Sequence, residues 1–185
     1  MPQRQVAVIV GSLRKGSFSR KLALAMEKLG SHGLVFEIIE IGELPLYNQD
    51  LDPDAPPAAW VAFRDAVRPK DAVLFVTPEY NRSVPGVLKN AIDVGSRPYG
   101  KSVWSKKPAA IVSNSPGNIG GFGANHHLRQ SLVFLDMPTL QQPEAYVAGV
   151  ATLFAEDGSI ANEGTAKFLT GFMQAFADWI EKTAA

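Results

Sequence analysis

The stretch from Asp71 to Arg97, which reads DAVLFVTPEYNRSVPGVLKNAIDVGSR, constrains the fold more than any other part of the sequence. Its apolar run from Ala72 to Val76 has the length and composition of a strand that is buried on both faces of a sheet. A polar loop from Thr77 to Pro85 follows, and Gly86 then opens an amphipathic helix. Because α/β proteins usually place ligands in loops at the carboxyl ends of buried parallel strands, we expect this loop to line a binding site.

The rest of the sequence repeats this alternation of strand and helix. Strands are predicted at Gln5–Val10, Leu34–Ile41, Pro108–Ser113 and, weakly, between Met137 and Val147, and helices at Phe18–Leu29, Ala58–Val67, His126–Leu135 and Thr165–Lys182. Such an order predicts an α/β fold in which a doubly wound, five-stranded parallel sheet has helices on both faces.

Two segments between these elements lack a regular apolar period. The segment from Gly42 to Pro57 is rich in proline and acidic residues and predicts a long surface loop. The segment from Pro98 to Lys107 holds Tyr99 and Trp104 in a basic setting. We interpret this second segment as a mobile flap or as part of a subunit interface.

The overall composition excludes several classes of function. The chain has 185 residues, and we expect residues 1–185 to form a single domain. Lysine plus arginine and aspartate plus glutamate number 18 each, so no net field attracts nucleic acid or an anionic membrane. The absence of cysteine excludes disulfides, thiolate metal sites and cysteine nucleophiles, and redox chemistry then requires a bound cofactor. With neither a signal-peptide pattern nor a membrane-length apolar run, we expect a cytoplasmic protein.

The loop after the first predicted strand, GSLRKGSFSR, has the composition of an anion site. Free backbone N–H groups and the positive end of a helix dipole favour an anion, and hydroxyl and guanidinium groups complete its coordination. The candidate donors are Ser12, Arg14, Ser17 and Ser19. The loop is neither a dinucleotide fingerprint nor a Walker loop, so a monophosphate fits better than a triphosphate. Alternatively, its serine and glycine residues only cap the helix.

In the flavodoxin-like strand order 2-1-3-4-5, this loop and the loop after strand three flank one crevice. Strands one and three are then neighbours, and their carboxyl ends meet at the topological switch point of the sheet. Pro78 and Pro85 stiffen the second loop. Its backbone N–H and C=O groups can recognise the edge of a flat heterocycle, which Tyr80 and Asn81 flank. The glycine-rich segment from Asn114 to Asn125 closes a third side.

These two loops resemble, in order and spacing, those of the NADPH-dependent FMN reductase family; they read GSLRKGSFSR and TPEYNRSVPGVLKNAIDVGSR. Members of this family are flavodoxin-like flavoproteins and include chromate and quinone reductases. The resemblance extends over nearly the whole chain, including SNSPGNIGGFGANHHLRQSLVFLD. It implies that Ser12, Arg14, Ser17 and Ser19 bind the FMN phosphate and that Phe18 also contacts the cofactor. It implies further that the isoalloxazine ring contacts Pro78, Glu79, Tyr80 and Asn81 and, on its other side, Ser113, Ser115 and Gly117. Ser19 stands where many relatives have asparagine, and serine keeps a donor at this position.

The same resemblance implies a function. NADPH or NADH would give a hydride to bound FMN, leave, and be replaced by a small-molecule electron acceptor such as a quinone, an azo compound or chromate, in a ping-pong mechanism. The chemistry would take place at the cofactor, and we expect no catalytic side chain. A homodimer or homotetramer would place each flavin near a subunit boundary, with the helices Gly86–Gly95 and Ala124–Leu135 as its surfaces.

Several charged residues near the predicted crevice have simpler explanations than acid–base catalysis. Hydride transfer at a flavin needs no protein acid, so we expect the backbone around Glu79 to recognise the ring. Arg82 and Arg97 are expected to lie close to the crevice and to attract an anionic nicotinamide cofactor or substrate. The adjacent His126 and His127 point about 100° apart on a helix, so we expect no metal site there.

Two alternatives remain open at this point. A flavodoxin-type electron carrier, which shuttles single electrons and is not an enzyme, would share the fold, but such carriers are typically acidic and this chain is neutral. A flavin-free phospho-ligand module or receiver domain has less support, because strand three ends in Thr77-Pro78 and not in an aspartate.

Overall fold

The computed structural model describes residues 3–30, 32–52 and 55–183. Its strands are β1 (Arg4–Val10), β2 (Leu34–Ile38), β3 (Ala72–Thr77), β4 (Ala109–Asn114) and β5 (Ala145–Val147). Its helices are α1 (Phe18–Lys28), α2 (Ala58–Val67), α3 (Gly86–Gly95), α4 (Phe122–Phe134) and α5 (Glu163–Thr183). Short 3₁₀ helices lie at Gln49–Leu51 and Val150–Thr152. The predicted alternation of strand and helix is therefore confirmed, and the weak last strand lies at the end of its predicted interval.

The strands form one parallel sheet of five strands in the order β2-β1-β3-β4-β5. This is the flavodoxin-like order that the sequence predicts. Val10 of β1 pairs with Val76 of β3, and Thr77 of β3 pairs with Ser113 of β4. The carboxyl ends of the three central strands therefore lie side by side, and the loops that follow them meet at one edge of the sheet.

The alternation of side chains along the strands divides the core into two layers. On β1, Val6, Val8 and Val10 belong to one hydrophobic cluster, whereas Ala7 and Ile9 belong to the other. Helices α1 and α5 cover the first cluster, and α2, α3 and α4 cover the second. The central strands are apolar on both faces, which explains why they read as continuous apolar runs. In the part of the chain that the structure describes, no helix combines the length and hydropathy needed to cross a membrane.

Strand β2 ends at Ile38 and not at the predicted Ile41. The N–H of Ile39 still donates to the carbonyl of Val8 at 3.0 Å, but the chain then leaves the sheet. The side chains of Ile39 and Ile41 nevertheless remain buried in the second cluster. The apolar pattern therefore extends beyond the strand itself, which is why the sequence predicts a longer one.

Helix α4 begins at Phe122 and not at the predicted His126. The sequence before His126 is rich in glycine, which is a poor helix former. Gly121 takes a left-handed conformation at the N-cap, with a φ of 77°, and the N–H of Ala124 donates to the Glu79 carboxylate. A partner from a distant loop thus stabilises a first turn that local propensity disfavours. The glycine-rich loop is correspondingly shorter than predicted.

The interpretation of Pro98–Lys107 as a mobile flap is wrong for Trp104. This side chain is fully buried, and its ring centroid lies 6.0 Å from those of Phe63 and Phe75. Its indole N–H donates to the carbonyl of Ile92 at 2.9 Å. The indole therefore anchors the segment against the second core layer, whereas Tyr99 is 92% exposed.

The proline-rich loop from Gly42 to Pro57 is held in place by polar contacts, although residues 53 and 54 within it, including Pro53, lie outside the described residues. Asn90 of α3 accepts the N–H of Tyr47 at 2.8 Å and donates to the carbonyl of Pro45 at 3.0 Å. The buried carboxylate of Asp52 pairs with a guanidinium of α2 at 2.7 Å. The loop is therefore fixed to both neighbouring helices.

Candidate active site

A crevice opens at the carboxyl edge of the sheet, between the loops that follow β1, β3 and β4. Its volume is about 110 Å³. The residues that line it are Ser12, Arg14, Phe18, Ser19, Pro78, Glu79, Tyr80, Asn114, Ser115 and Pro116. All but Asn114 and Pro116 are cofactor-binding residues predicted from the sequence. The structure therefore brings together the two loops on which the sequence argument depends.

The loop after β1 and the first turn of α1 form a cradle of hydrogen-bond donors. Among the described residues, the backbone N–H groups from Ser12 to Gly16 have no backbone carbonyl as a partner. They lie directly before α1, whose N-terminal end carries the positive pole of the helix dipole. Arg14 is exposed beside them, with its guanidinium 6.0 Å from the ring centroid of Phe18. Unpaired N–H donors, hydroxyls and a cation are the groups that a phosphate monoester requires.

Ser17 supports both interpretations of this loop. As the N-cap of α1, its hydroxyl oxygen accepts the N–H of Arg20 at 3.1 Å, and its own N–H donates to the carbonyl of Arg14 at 3.0 Å. The capping interpretation is therefore confirmed for Ser17, which is buried. Capping occupies a lone pair of the hydroxyl oxygen and leaves its proton free. Ser17 can thus cap the helix and still donate to an anion.

A tight turn holds the loop after β3 in one shape. The N–H of Tyr80 donates to the carbonyl of Ser83 at 3.1 Å, and the N–H of Ser83 donates to the carbonyl of Tyr80 at 2.9 Å. Between them, Asn81 and Arg82 have left-handed backbones with φ of 51° and 62°. This is the geometry of a type I′ turn, which asparagine tolerates better than arginine. Strained backbone of this kind is often found at ligand sites, and here it places the half-exposed Tyr80 at the rim of the crevice.

Glu79 fastens this turn to α4. Its side chain is only 12% exposed, and its carboxylate accepts the N–H of Ala124 at 3.0 Å and pairs with Arg82 at 3.2 Å. Gly123 makes the contact possible, because a Cβ at this position would lie 2.7 Å from the carbonyl oxygen of Arg82. Both carboxylate oxygens are thus already engaged by donors within the protein. The geometry indicates a structural role for this side chain and not proton transfer.

The loop after β4 supplies the third wall of the crevice. Ser115 lines it, and its hydroxyl oxygen accepts the N–H of Gly117 at 3.1 Å. Ser113 is fully buried, with its hydroxyl 3.4 Å from the carbonyl of Ala145. The structure therefore places Ser115 at the surface of the crevice, Gly117 beside it, and Ser113 beneath it.

Asn114 and Pro116 line the crevice. Both belong to the segment predicted to close its third side, but neither was predicted as a cofactor-binding residue. Asn114 is the last residue of β4 and is 1% exposed. Its amide nitrogen lies 3.1 Å from the carbonyl oxygen of Thr77 and 2.9 Å from the hydroxyl of Ser19. A polar residue that closes an apolar strand directly before a glycine-rich loop is the signal that could have found it.

The two predicted substrate arginines lie in different places. Arg82 is 70% exposed and pairs with Glu79, which lines the crevice, although Arg82 is not itself a lining residue. Arg97 follows the C-terminal end of α3, which runs away from the carboxyl edge of the sheet. It lines a separate cavity of about 430 Å³ together with Tyr47, Gln49, Asp52, Pro98 and Tyr99. Arg97 is therefore a lining residue of this cavity and not of the crevice, and its predicted role toward a substrate stays a prediction.

The separate cavity is larger than the crevice but is a weaker candidate for the cofactor. Its carboxylate, on Asp52, is already paired with the buried guanidinium of Arg64. None of its lining residues belongs to the loops after β1, β3 or β4, which meet at the switch point where ligands of doubly wound folds bind. We assign the functional site to the smaller crevice, because an anion cradle and a rigid loop converge there.

His126 and His127 lie on α4 and contact different partners. The Nε2 atom of His126 lies 2.9 Å from the hydroxyl of Tyr146, and the Nδ1 atom of His127 lies 3.0 Å from that of Ser83. Burial, together with the neighbouring Glu144 carboxylate, raises the pKa of Tyr146 to about 12. Within residues 3–30, 32–52 and 55–183, no cluster of three or more His, Cys, Asp and Glu side chains could hold a metal ion.

Comparison with known proteins agrees with this geometry. The model of the NADPH-dependent FMN reductase family matches residues 4–152. A quinone reductase of Pseudomonas putida is 62% identical over 180 residues, which cover 97% of this chain and 96% of the relative. The chain belongs to the NADPH-dependent FMN reductase family. Its family membership confirms the resemblance that the two loops carry.

Another relative and a solved structure are similar to this FMN reductase chain over nearly its full length. A 2-hydroxy-1,4-benzoquinone reductase of a Burkholderia species is 46% identical, covering 95% of this chain and 96% of the relative. The solved structure of FerB, a flavoenzyme NAD(P)H:(acceptor) oxidoreductase from Paracoccus denitrificans, superposes with a TM-score of 0.93 at 48% identity. It covers 98% of this chain and 100% of that one.

As an FMN reductase the chain is an oxidoreductase enzyme, and its cofactors are FMN and NAD(P)H. The crevice fits FMN on two observations of its own. The unpaired N–H groups before α1 suit a phosphate, and the loop after β3, fixed by its type I′ turn, lines the same crevice with Pro78, Glu79 and Tyr80. When bound, FMN supplies the atom that exchanges a hydride, so the residues around it need only bind and orient it.

Proposed function

We propose that this chain is an NAD(P)H-dependent quinone reductase whose FMN occupies the crevice. In the overall reaction NAD(P)H gives up a hydride, and the quinone takes up two electrons and two protons, one of which comes from solvent. The observation that carries the proposal is the meeting of an anion cradle and a rigid backbone turn at the switch point of the sheet. Similarity to enzymes named as quinone and hydroxybenzoquinone reductases supports a quinone as acceptor.

In this proposal the residues of the crevice hold the cofactor and do not react. The phosphate end would be bound by Ser12, Arg14, Ser17 and Ser19, and Phe18 would contact the cofactor beside them. The ring would contact Pro78, Glu79, Tyr80 and Asn81 on one side and, on the other, Ser115 and Gly117 with the buried Ser113. No acidic side chain is needed at the ring, because the carboxylate of Glu79 is engaged by α4.

A single open crevice supports a ping-pong order of events. NAD(P)H and the acceptor would use the same side of the ring in turn, since walls from three loops enclose the rest. Arg82, exposed and paired with Glu79, provides a positive charge for an anionic co-substrate or acceptor. Chromate and azo compounds are further acceptors that such an open site could admit.

Steady-state kinetics of the FMN-loaded protein tests this function. NADPH and NADH would each be assayed with a quinone, chromate and an azo dye, with flavin-free protein as the control. We expect the highest kcat/KM with the quinone, and parallel double-reciprocal lines. A protein that fails to retain FMN would contradict the proposal. A stable one-electron state combined with no NAD(P)H oxidation would indicate an electron carrier.

We further propose that residues 1–185 form one domain that assembles as a homodimer or homotetramer in the cytoplasm, with small molecules as its other partners. The exposed side chains of Val133 and Phe134 at the end of α4 provide apolar surface for such an assembly. Light scattering of the purified protein measures its mass. A monomer at micromolar concentration would contradict the assembly, and the Phe134→Ser variant locates the surface.

A further inference from the structure

Asn114 connects all three walls of the crevice through one side chain. It ends β4, its amide nitrogen lies 3.1 Å from the carbonyl oxygen of Thr77 at the end of β3, and the same nitrogen lies 2.9 Å from the hydroxyl of Ser19 in the first turn of α1. Asn114 and Ser19 are each 1% exposed. Most buried polar side chains have at least one hydrogen-bond partner, and such bonds fix the elements that they join.

The direction of each hydrogen bond follows from the groups involved. The carbonyl of Thr77 can only accept, so the amide nitrogen of Asn114 must face it and donate one of its two N–H groups. The second N–H then points to the Ser19 hydroxyl oxygen, which acts as the acceptor at 2.9 Å. The amide oxygen lies farther from that hydroxyl, at 3.2 Å.

In this arrangement the Ser19 hydroxyl oxygen accepts from the amide, and the hydroxyl proton is not used in that hydrogen bond. With a lone pair occupied by the amide, the O–H can turn toward the crevice, which Ser19 lines together with Ser12 and Arg14. An amide that donates to a hydroxyl also polarises it and makes it a better donor. Ser19 is thereby prepared to donate to an anion held before α1.

We propose that Asn114 is a positioning residue for phosphate recognition: it orients the Ser19 hydroxyl so that its proton is donated to the FMN phosphate. The inference rests on FMN binding in the crevice. In this chain α1 supplies the hydroxyl of the pair and β4 supplies the amide.

Titration of the flavin-free protein with flavin tests the proposal, with the Kd measured from the quenching of flavin fluorescence. FMN and riboflavin are compared, because riboflavin lacks the phosphate. We expect Ser19→Ala to raise the Kd for FMN about tenfold or more, and Asn114→Ala to raise it about three- to tenfold. The Kd for riboflavin should change by less than about twofold in both variants. Asn118→Ala, an exposed asparagine of the same loop, is the matched control and should leave both constants unchanged.

Two double variants separate positioning from general support of the fold. If Asn114 acts through Ser19, the Ser19→Ala/Asn114→Ala variant should bind FMN no more weakly than Ser19→Ala alone. The reciprocal exchange, Ser19→Asn with Asn114→Ser, keeps an amide–hydroxyl pair and should recover affinity relative to Asn114→Ser alone. Circular dichroism of each flavin-free variant checks folding, and if Asn114→Ala does not fold, Asn114→Ser and the exchange carry the test.

The outcomes distinguish this inference from the proposed function. Equal weakening of FMN and riboflavin, additive effects in the double variant, or no recovery in the reciprocal exchange would each overturn the role assigned to Asn114 while leaving the enzyme a flavoprotein. A wild-type protein that binds neither flavin would overturn the proposed function as well.

Discussion

Glu79 is a charged side chain at a cofactor site whose contacts are structural. The N-terminus of α4 and the guanidinium of Arg82 occupy its two oxygens. A residue that caps a helix also fixes the distance between the capped helix and its own loop. Here that distance sets the width of the crevice on the side of the proposed ring site.

Replacing Glu79 with alanine is expected to destabilise the protein and to leave the shape of its kcat pH profile unchanged. Loss of the cap on α4 and of the partner of Arg82 should lower the free energy of unfolding by about 1–2 kcal/mol. Chemical denaturation of the flavin-free protein measures this change, and Glu79→Gln, which keeps an acceptor, should lose less. If Glu79→Gln removed one limb of the pH profile, the side chain would be a proton donor.

Tyr146 gives the protein a predictable sensitivity to alkali. Its pKa is raised from 10.0 to about 12 in the folded protein, first by burial and then by Glu144. The folded state therefore holds the phenolic proton more tightly than the unfolded state, and stability falls as the pH rises from about 10 to about 12. Tyr146→Phe should make the fall shallower over this interval in pH-dependent thermal unfolding. Tyr99→Phe, at an exposed position, should follow the wild type; a difference as large as that of Tyr146→Phe would refute the assignment.

At the scale of whole elements, the first turn of α4 depends on a contact that its own sequence does not contain. A glycine at position 123 is needed because the carbonyl of Arg82 approaches to within 2.7 Å of where a Cβ would be. The helix and the turn after β3 are therefore one structural unit, although they lie far apart in the sequence.

Gly123→Ala should destabilise the protein by about 1–3 kcal/mol, because the Cβ meets backbone atoms that cannot move without opening the turn. The affinity for FMN should fall together with the stability. Gly171→Ala in α5 is the matched control: nothing lies within 4 Å of its Cβ position, so it should stabilise by about 0.5–1 kcal/mol through helix propensity. Denaturant titration of both variants measures the difference, and equal stabilisation by both would show that the contact yields easily.

The contact between Glu79 and α4 is one example of what the sequence alone could not predict. Strand order and both crevice loops could be predicted, because β1, β3 and β4 are continuous apolar runs followed by distinctive loops. The start of α4 could not, because Glu79 supplies its cap from another element. The burial of Trp104 could not either, since its pocket is formed by Phe63, Phe75 and the close approach of Gly95. Asn114 was missed because its partners are set by strand order and not by local pattern.

At the scale of the whole molecule, a buried ion pair joins the proline-rich loop to two helices. Both side chains of the Arg64–Asp52 pair are at most 6% exposed, and the guanidinium donates at 2.7 and 3.0 Å. The Nε–H of Arg64 also donates to the carbonyl of Val94 at 2.9 Å, and the hydroxyl of Tyr47 lies 3.2 Å from the carboxylate. The loop is thereby part of the folded unit and not an appendage of it.

Asp52→Asn should lower the free energy of unfolding by about 3–5 kcal/mol, because it leaves the buried Arg64 without a counter-charge. Asp93→Asn is the comparable change in the exposed Lys89–Asp93 pair of α3 and should cost no more than about 0.5 kcal/mol. Thermal and denaturant unfolding of both variants measure these changes in the free energy of unfolding. A small effect at both positions would mean that water reaches Arg64 when its partner is removed.

The crevice is lined mainly by loop residues, whereas β3 and β4 are buried along their whole length and β1 is buried from Val6 to Val10. Most of the folding free energy therefore resides in residues that never meet a substrate. This separation bears on evolvability: exposed positions of the loop after β4, such as Pro116 and Ile119, can be varied with little effect on the scaffold. Libraries confined to such positions should retain a high fraction of folded, flavin-containing members while the range of accepted oxidants diversifies, which makes this chain a tolerant starting point for laboratory evolution.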